Sequence, residues 1–349
     1  MIRVRLGPIG ILVALGLGQH FGGCAPRGNG AAGHPVVFLS NRDAPQHRFN
    51  IFLMDPDGRN LRNLSAGWGT VTTLSRPRLS PDGREVLFVA FHQGGRKTLS
   101  LAEVASGKVT ELTELDYDDP QASFDPKGQW IVYLRKFEGK RQVWLIGKDG
   151  RRERCLSQAE RDEYDPAFSW DGQQLVFVSA KDEQYVLVVH DLRSGRRREI
   201  MPSRNPLRSP SFSPSGRAIV FCVVSGQASH IYTVRVDGGG LRPLVRNGAF
   251  NQEPRFLPDG RRIVFVSNLR GAKYCDVCVV DRNGSLRNLT LGLDYINQFP
   301  VSSPDGRWIY FHSARFGDCD IYRVRPDGGA PVNLTRHPAW DQMPHVPGS

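Results

Sequence analysis

Apolar residues along this chain fall in short runs bounded by Gly, Pro, Asp and Ser, the pattern of many short strands rather than of long helices. The clearest unit is an apolar strand entered through a Pro-Asp-Gly or similar turn. It occurs six times: PRLSPDGREVLFVA (77–90), SFDPKGQWIVYLR (123–135), FSWDGQQLVFVS (168–179), SFSPSGRAIVFCV (211–223), RFLPDGRRIVFVS (255–267) and VSSPDGRWIYFHS (301–313). The turn glycines are Gly83, Gly128, Gly172, Gly216, Gly260 and Gly306, spaced 45, 44, 44, 44 and 46 residues apart. Such a period fits one four-stranded propeller blade. Each period reads as strand A before the turn, strand B after it, a strand C such as IYTVRVDGG and a short strand D. The apolar residue of strand D recurs seven times, at Leu64, Leu112, Leu156, Ile200, Leu244, Leu289 and Leu334, against six such turns.

The first blade accounts for the difference. VVFLS (36–40), IFLMDPDG (51–58) and RNLS (62–65) supply strands B, C and D without an A. At the other end DQMPHV (341–346) matches NQEPRF (251–256) and NQFPVS (297–302) in register. The pattern therefore predicts one all-β domain over 36–346, a seven-bladed β-propeller whose C-terminal strand pairs with the N-terminal blade. Six blades is the alternative if that strand does not dock. Closure of this kind leaves no blade edge open to template aggregation.

The phrases P-x-F-S-P-D-G-x-x-I-x-F-x-S and I-Y-x-x-D-x-D-G resemble the TolB-type propeller repeat, also called PD40, over nearly all of 36–346. The resemblance implies the fold, and as a function a cell-envelope binding or scaffolding role. Similar propellers also occur in peptidase N-terminal domains and in some polysaccharide lyases, so function has to be argued from the site.

Asp-Gly itself reads as architecture. Pro presets φ, Asp can bond the backbone two residues on, and Gly accepts a positive φ. The same chemistry returns at the C to D turns as Asp57-Gly58, Asp149-Gly150, Asp237-Gly238 and Asp327-Gly328, and no catalytic site would be repeated so often. The sequon matches at Asn63, Asn288 and Asn333 are likewise pieces of strand D.

With 349 residues, 40% apolar, 37 Gly and 24 Pro, the chain is compatible with a single large β domain. Residues 1–23 read as a signal peptide: Arg3 and Arg5, an apolar run too short to span a bilayer, then FGGC, which resembles a bacterial lipobox. The expectation is export to the periplasm or outer envelope, lipidation at Cys24, and a tether over 24–35 that leads into strand B. Cys275 and Cys278 have C-x-x-C spacing, but in a strand positions three apart point to opposite faces, which argues against a redox or metal pair.

In a propeller the A to B and C to D turns share one side, and the B to C loops and D to A links share the other. The net charge of +11 concentrates on the turn side, where Arg151, Arg152, Arg193, Arg196, Arg197 and Arg198 are expected to face anionic headgroups around the anchor. The link side is mixed. Its links repeat an aromatic near an acid or amide: Tyr117-Asp118, Tyr164-Asp165, Phe250-Asn251, Tyr295 with Asn297, and Trp340-Asp341. These are expected to ring the channel mouth as a partner site for an envelope protein or a glycan. There is no G-x-S-x-G or H-E-x-x-H motif and no aromatic-basic interleaving, so neither a peptidase nor a nucleic-acid partner is indicated. The expectation is a monomeric, non-enzymatic binding propeller without a cofactor. The alternative is a metal-dependent carbohydrate lyase or hydrolase, whose ligands would be histidines converging from loops of different blades.

Overall fold

The computed structural model describes residues 34–43, 49–68, 74–117, 120–293, 295–315 and 318–348. Cys24 and Asp118 therefore lie outside the described residues. Seven antiparallel sheets of four strands each account for the described chain, and its one helical turn is a 3-10 segment at Gln93–Gly95. The expected seven-bladed propeller is what forms. Blade 1 joins Asp341–His345 as strand A to Val36–Ser40, Asn50–Met54 and Arg62–Asn63, with Val37 opposite His345 and Ser40 opposite Asp341. The inner strands of the other blades are Leu74–Leu79, Ser123–Phe124, Asp162–Phe168, Leu207–Phe212, Asn251–Phe256 and Ile296–Ser302, in blades 2 to 7.

Strands B read as unbroken apolar runs because each blade packs a neighbour on both faces. Val36 to Ser40 is buried throughout, as is Leu175 to Ser179. The core consequently lies between blades, as where Leu134 and Val143 of blade 3 join Phe177 and Leu187 of blade 4 and Phe221 of blade 5.

The Asp-Gly turns work as the sequence suggested, and they also tie blade to blade. The Asp171 carboxylate accepts the Ser169 hydroxyl at 2.6 Å and the Gln173 N–H at 3.0 Å, and these bonds hold it below the usual carboxylate range. Gly128 takes φ +65°, and a Cβ there would lie 3.2 Å from Pro81 of the preceding turn, so Pro and Gly of successive turns nest around the ring. At the C to D turns Gly58 has φ +89°, and a Cβ would come 2.8 Å from the Leu334 carbonyl oxygen of blade 7. The strand-D motif N-L-S/T has its own task. Thr290 N–H bonds the Asn288 side chain at 2.9 Å while the Thr290 hydroxyl accepts the Val277 N–H of strand C at 3.1 Å.

Strand A carries a bulge in six of the seven blades. A residue of positive φ directly before Pro interrupts the register at Arg76, Asp165, Ser209, Glu253, Phe299 and Met343, and in blade 3 Gln121 takes a positive φ at the matching place just ahead of the short strand A. The positive-φ residue gives every blade the same internal landmark, which fixes the register of the residues facing the channel.

Two neutral histidines staple the closing strand. His312 of blade 7 accepts the Met343 N–H at its Nδ1 (3.2 Å), and His345 accepts the Leu79 N–H of blade 2 at its Nδ1 (3.1 Å). Burial lowers His312 from 6.5 to about 4 and holds His345 well below its ordinary value, with Arg78 and Arg255 adding to the latter. Between pH 6.5 and 4 the unfolded chain then binds a proton that native His312 refuses, so this stability is present above pH 6.5 and is lost as pH falls toward 4. Asp341, whose carboxyl burial raises against the attraction of Arg42, opposes the trend in part. A urea midpoint that is level above pH 7 and drops across this window, by about 3 kcal/mol in unfolding free energy for His312, is expected. A level midpoint down to pH 4 contradicts it.

Candidate functional site

The link side was expected to present a ring of aromatic and polar pairs, and the structure divides that set. Asn251, Asn297 and Asp341 are fully buried, two residues before the bulge of their own strand A. Each sits opposite a serine at or near the end of strand B: Ser267, Ser313 and Ser40. Asn251 Nδ2 donates to the Ser229 carbonyl at 2.6 Å and Asn297 Nδ2 to the Cys275 carbonyl at 2.9 Å, so both clasp strand C of the preceding blade. Asp341 is ion-paired with Arg42, and its carbonyl accepts the Cys319 thiol at 3.1 Å. These three side chains face the wall and not the mouth.

Tyr164 departs for a different reason. It directly precedes the bulge residue Asp165, so its register partners are Gln252, Gln298 and Gln342, and not Phe250 or Trp340. It is buried between the guanidinium groups of Arg141, 4.0 Å from the ring centroid, and Arg208, at 4.6 Å. The residue of blade 4 that matches Asn251 is Glu163, fully buried, bonded by Ser179 Oγ at 2.8 Å and paired with Arg197 at 2.6 Å. Asp165 belongs to the channel wall: it accepts Gln121 Nε2 at 2.9 Å and the Ser209 N–H at 2.8 Å, linking three neighbouring blades.

What the link side does expose is aromatic and aliphatic. Phe250 is 37% exposed, Leu269 43%, Leu291 63% and Ile296 43%. Their loops touch one another: the Phe250 N–H bonds the Asn268 side chain at 2.6 Å, and Arg270 Nη2 donates to the Leu293 carbonyl at 2.7 Å. Tyr117, Tyr295 and Trp340 are half-buried, Tyr295 beneath the Arg315 guanidinium at 5.4 Å. The apolar members Leu269, Leu291 and Ile296 escaped the sequence reading, since single exposed aliphatics in links resemble strand ends.

The turn side is basic at Arg84, Arg151, Arg152, Arg193, Arg196, Arg261 and Arg307, all exposed. Arg152 also lies over the Trp130 ring at 4.5 Å. Arg197 and Arg198 do not join them. Arg197 turns inward to Glu163 and donates to the Leu156 carbonyl of blade 3 at 2.7 Å; Arg198 donates to the Val236 carbonyl of blade 5 at 2.8 Å. Pro35, near the start of the described chain, lies against Gly83 of an A to B turn, so the described chain begins on this side.

The histidines stand apart. His92 meets Thr98 at 2.9 Å, His312 and His345 hold the closing strand, and His337 accepts the Ala339 N–H at 3.0 Å. Among the described residues no three His, Cys, Asp or Glu side chains gather as metal ligands would.

The model of the TolB beta propeller domain, PD40, matches residues 28–184 and 145–295, most of the chain. The chain belongs to the TolB β-propeller family. Among curated relatives, the TolB homologue of Chlorobium chlorochromatii is 31% identical over 152 residues, 43% of this chain and 32% of that protein. The homologue from Chlorobium luteolum is 28% identical over 170 residues, covering 48% and 36%. The chain thus matches about a third of the length of these TolB relatives. Among solved structures, TolB from Acinetobacter baumannii superposes with a TM-score of 0.60 at 18% identity, over 89% of this chain and 66% of that one. An oligogalacturonate lyase in complex with manganese gives 0.65 at 17%, over 88% and 86%. At such identities both likenesses speak for the fold alone.

Proposed function

We propose that this chain is an exported envelope propeller of TolB type that binds a protein partner with its link side and catalyses no reaction. The observation that carries the reading is the apolar patch of Phe250, Leu269, Leu291 and Ile296, beside the half-buried Tyr295 and Trp340. Exposed apolar side chains grouped on neighbouring loops are a common mark of protein interfaces. Membership of the TolB family and a leader ending in FGGC support the envelope location. Lipidation of Cys24 would tether the molecule by its turn side, with Arg151, Arg152, Arg193 and Arg196 toward anionic headgroups and the link side toward the partner. The closed ring is consistent with a monomer.

Pull-down from envelope extract tests the reading. Phe250→Asp and Ile296→Asp are both exposed changes, so the melting midpoint should stay within about a degree or two of wild type, as surface substitutions usually do. The protein captured by wild type should be depleted at least tenfold in each variant. Equal capture by wild type and both variants would refute the link-side assignment.

A further inference from the structure

Each blade presents one strand-A side chain two residues beyond its positive-φ residue, near the turn-side end of the channel. Around the ring these are His345, Arg78, Ser123, Ala167, Ser211, Arg255 and Val301, in blades 1 to 7. The ring contains two guanidinium groups, one imidazole, four small residues and no acid. Small residues at four of seven places leave the long side chains room to converge. Convergence across the channel is seen one step deeper, where the Arg76 guanidinium of blade 2 lies 5.7 Å from the Phe299 ring centroid of blade 7, two blades away.

Arg255 is the informative member. Its side chain is exposed, and the surrounding protein still desolvates the guanidinium enough to hold it below the usual arginine value. Both are properties of a group lining an open channel. No hydrogen bond or ion pair to Arg255 is formed among the described residues; Glu253, on the same strand, attracts it through space and Arg76 repels it. A cation that faces channel water without a bonded counterion is open to an anion that enters. His345 adds a donor. Its Nδ1 accepts the Leu79 N–H, so the neutral ring carries its proton on Nε2, which has no hydrogen-bond partner among the described residues.

We propose that Arg255, Arg78 and the Nε2–H of His345 form a receptor for a small oxyanion at the turn-side end of the channel. The guanidinium forks take the two oxygens of a carboxylate or phosphate in bidentate fashion. The mouth opens on the side that carries the exposed turn arginines, which would raise the local concentration of such an anion. The site lies at the opposite end of the channel from the proposed partner surface, so either assignment can fail without the other.

Calorimetric titration of the purified full chain with citrate and, separately, with inorganic phosphate tests it. Binding of at least one of the two is expected, and which one binds tells a carboxylate source from a phosphate source. Arg255→Gln should weaken that binding at least tenfold, the effect of losing one charge-assisted contact. Its melting midpoint should be equal to or above that of wild type, because no bonded partner is orphaned. Phe250→Asp should bind the anion as wild type does. No heat with either anion, or undiminished binding in Arg255→Gln, overturns the proposal.

Discussion

A chain ending at Trp340 should not reach a cooperatively folded state. The missing residues are strand A of blade 1, and nothing else in the sequence can take that place. Val36 to Ser40 would lose its inner partner, and Asp341, Pro344, His345 and Val346, all buried, would be gone. Arg42 would lose its carboxylate, Leu79 N–H its acceptor on His345, and Val36 and Phe38 their packing against Val346. Several ladder bonds at about 1 kcal/mol each, and buried side chains at about 2 kcal/mol each, add to a sum comparable with the 5–15 kcal/mol by which a whole domain is ordinarily stable. The unpaired edge of Val36–Ser40, apolar and flat, should then recruit a second chain. Size-exclusion chromatography should show oligomers or aggregate, and urea unfolding a broad transition without the wild-type midpoint. A monomer that unfolds sharply at the wild-type midpoint would mean that the ring does not depend on its closure.

The propeller was legible because each blade repeats turns with narrow stereochemical demands. Gly128 must take a positive φ against Pro81, and a requirement of that kind leaves the same letters at the same spacing. The closing strand was legible because DQMPHV keeps the bulge-proline register of NQEPRF and NQFPVS. The site was not legible in the same way. Tyr164 and Phe250 look equivalent as aromatics followed by Asp or Asn, but the links differ in length, and counting from the bulge rather than from the aromatic separates them by two residues. Counting from the bulge would also have shown Arg78 and Arg255 in one ring, since each follows the strand-A proline directly, in RPRL and EPRF. Within the run RRRE, no compositional signal tells an exposed arginine from one that turns between blades. The signal lay elsewhere, in Glu163 occupying the strand-A position at which blades 6 and 7 carry Asn251 and Asn297.

That distinction sets the second large effect, at Arg197. Glu163 is fully buried and Arg197 is 18% exposed; their oxygen and nitrogen stand 2.6 Å apart, with the arginine also over the Phe177 ring at 5.2 Å and bonded to the Leu156 carbonyl. Arg197→Ala strands a buried carboxylate between blades 3 and 4, and a loss of about 3–5 kcal/mol in unfolding free energy is expected. The double change Glu163→Leu with Arg197→Met removes both charges at similar volume and should recover most of it, because the pair's attraction is largely offset by the cost of desolvating it. Arg151, Arg193 and Arg196 behave oppositely. Each is exposed, so changing all three to Ser should leave the urea midpoint almost unchanged. In a Cys24→Ala background, which isolates the electrostatic contribution from the lipid, the triple change should weaken binding to anionic vesicles by about 100-fold, from about 1 kcal/mol per arginine near a charged surface. Arg197→Ala should bind those vesicles as well as its parent does, measured where both are folded. If instead Arg197→Ala keeps its stability and loses vesicle binding, the inward pairing with Glu163 is wrong and the side chain belongs on the turn face with its neighbours.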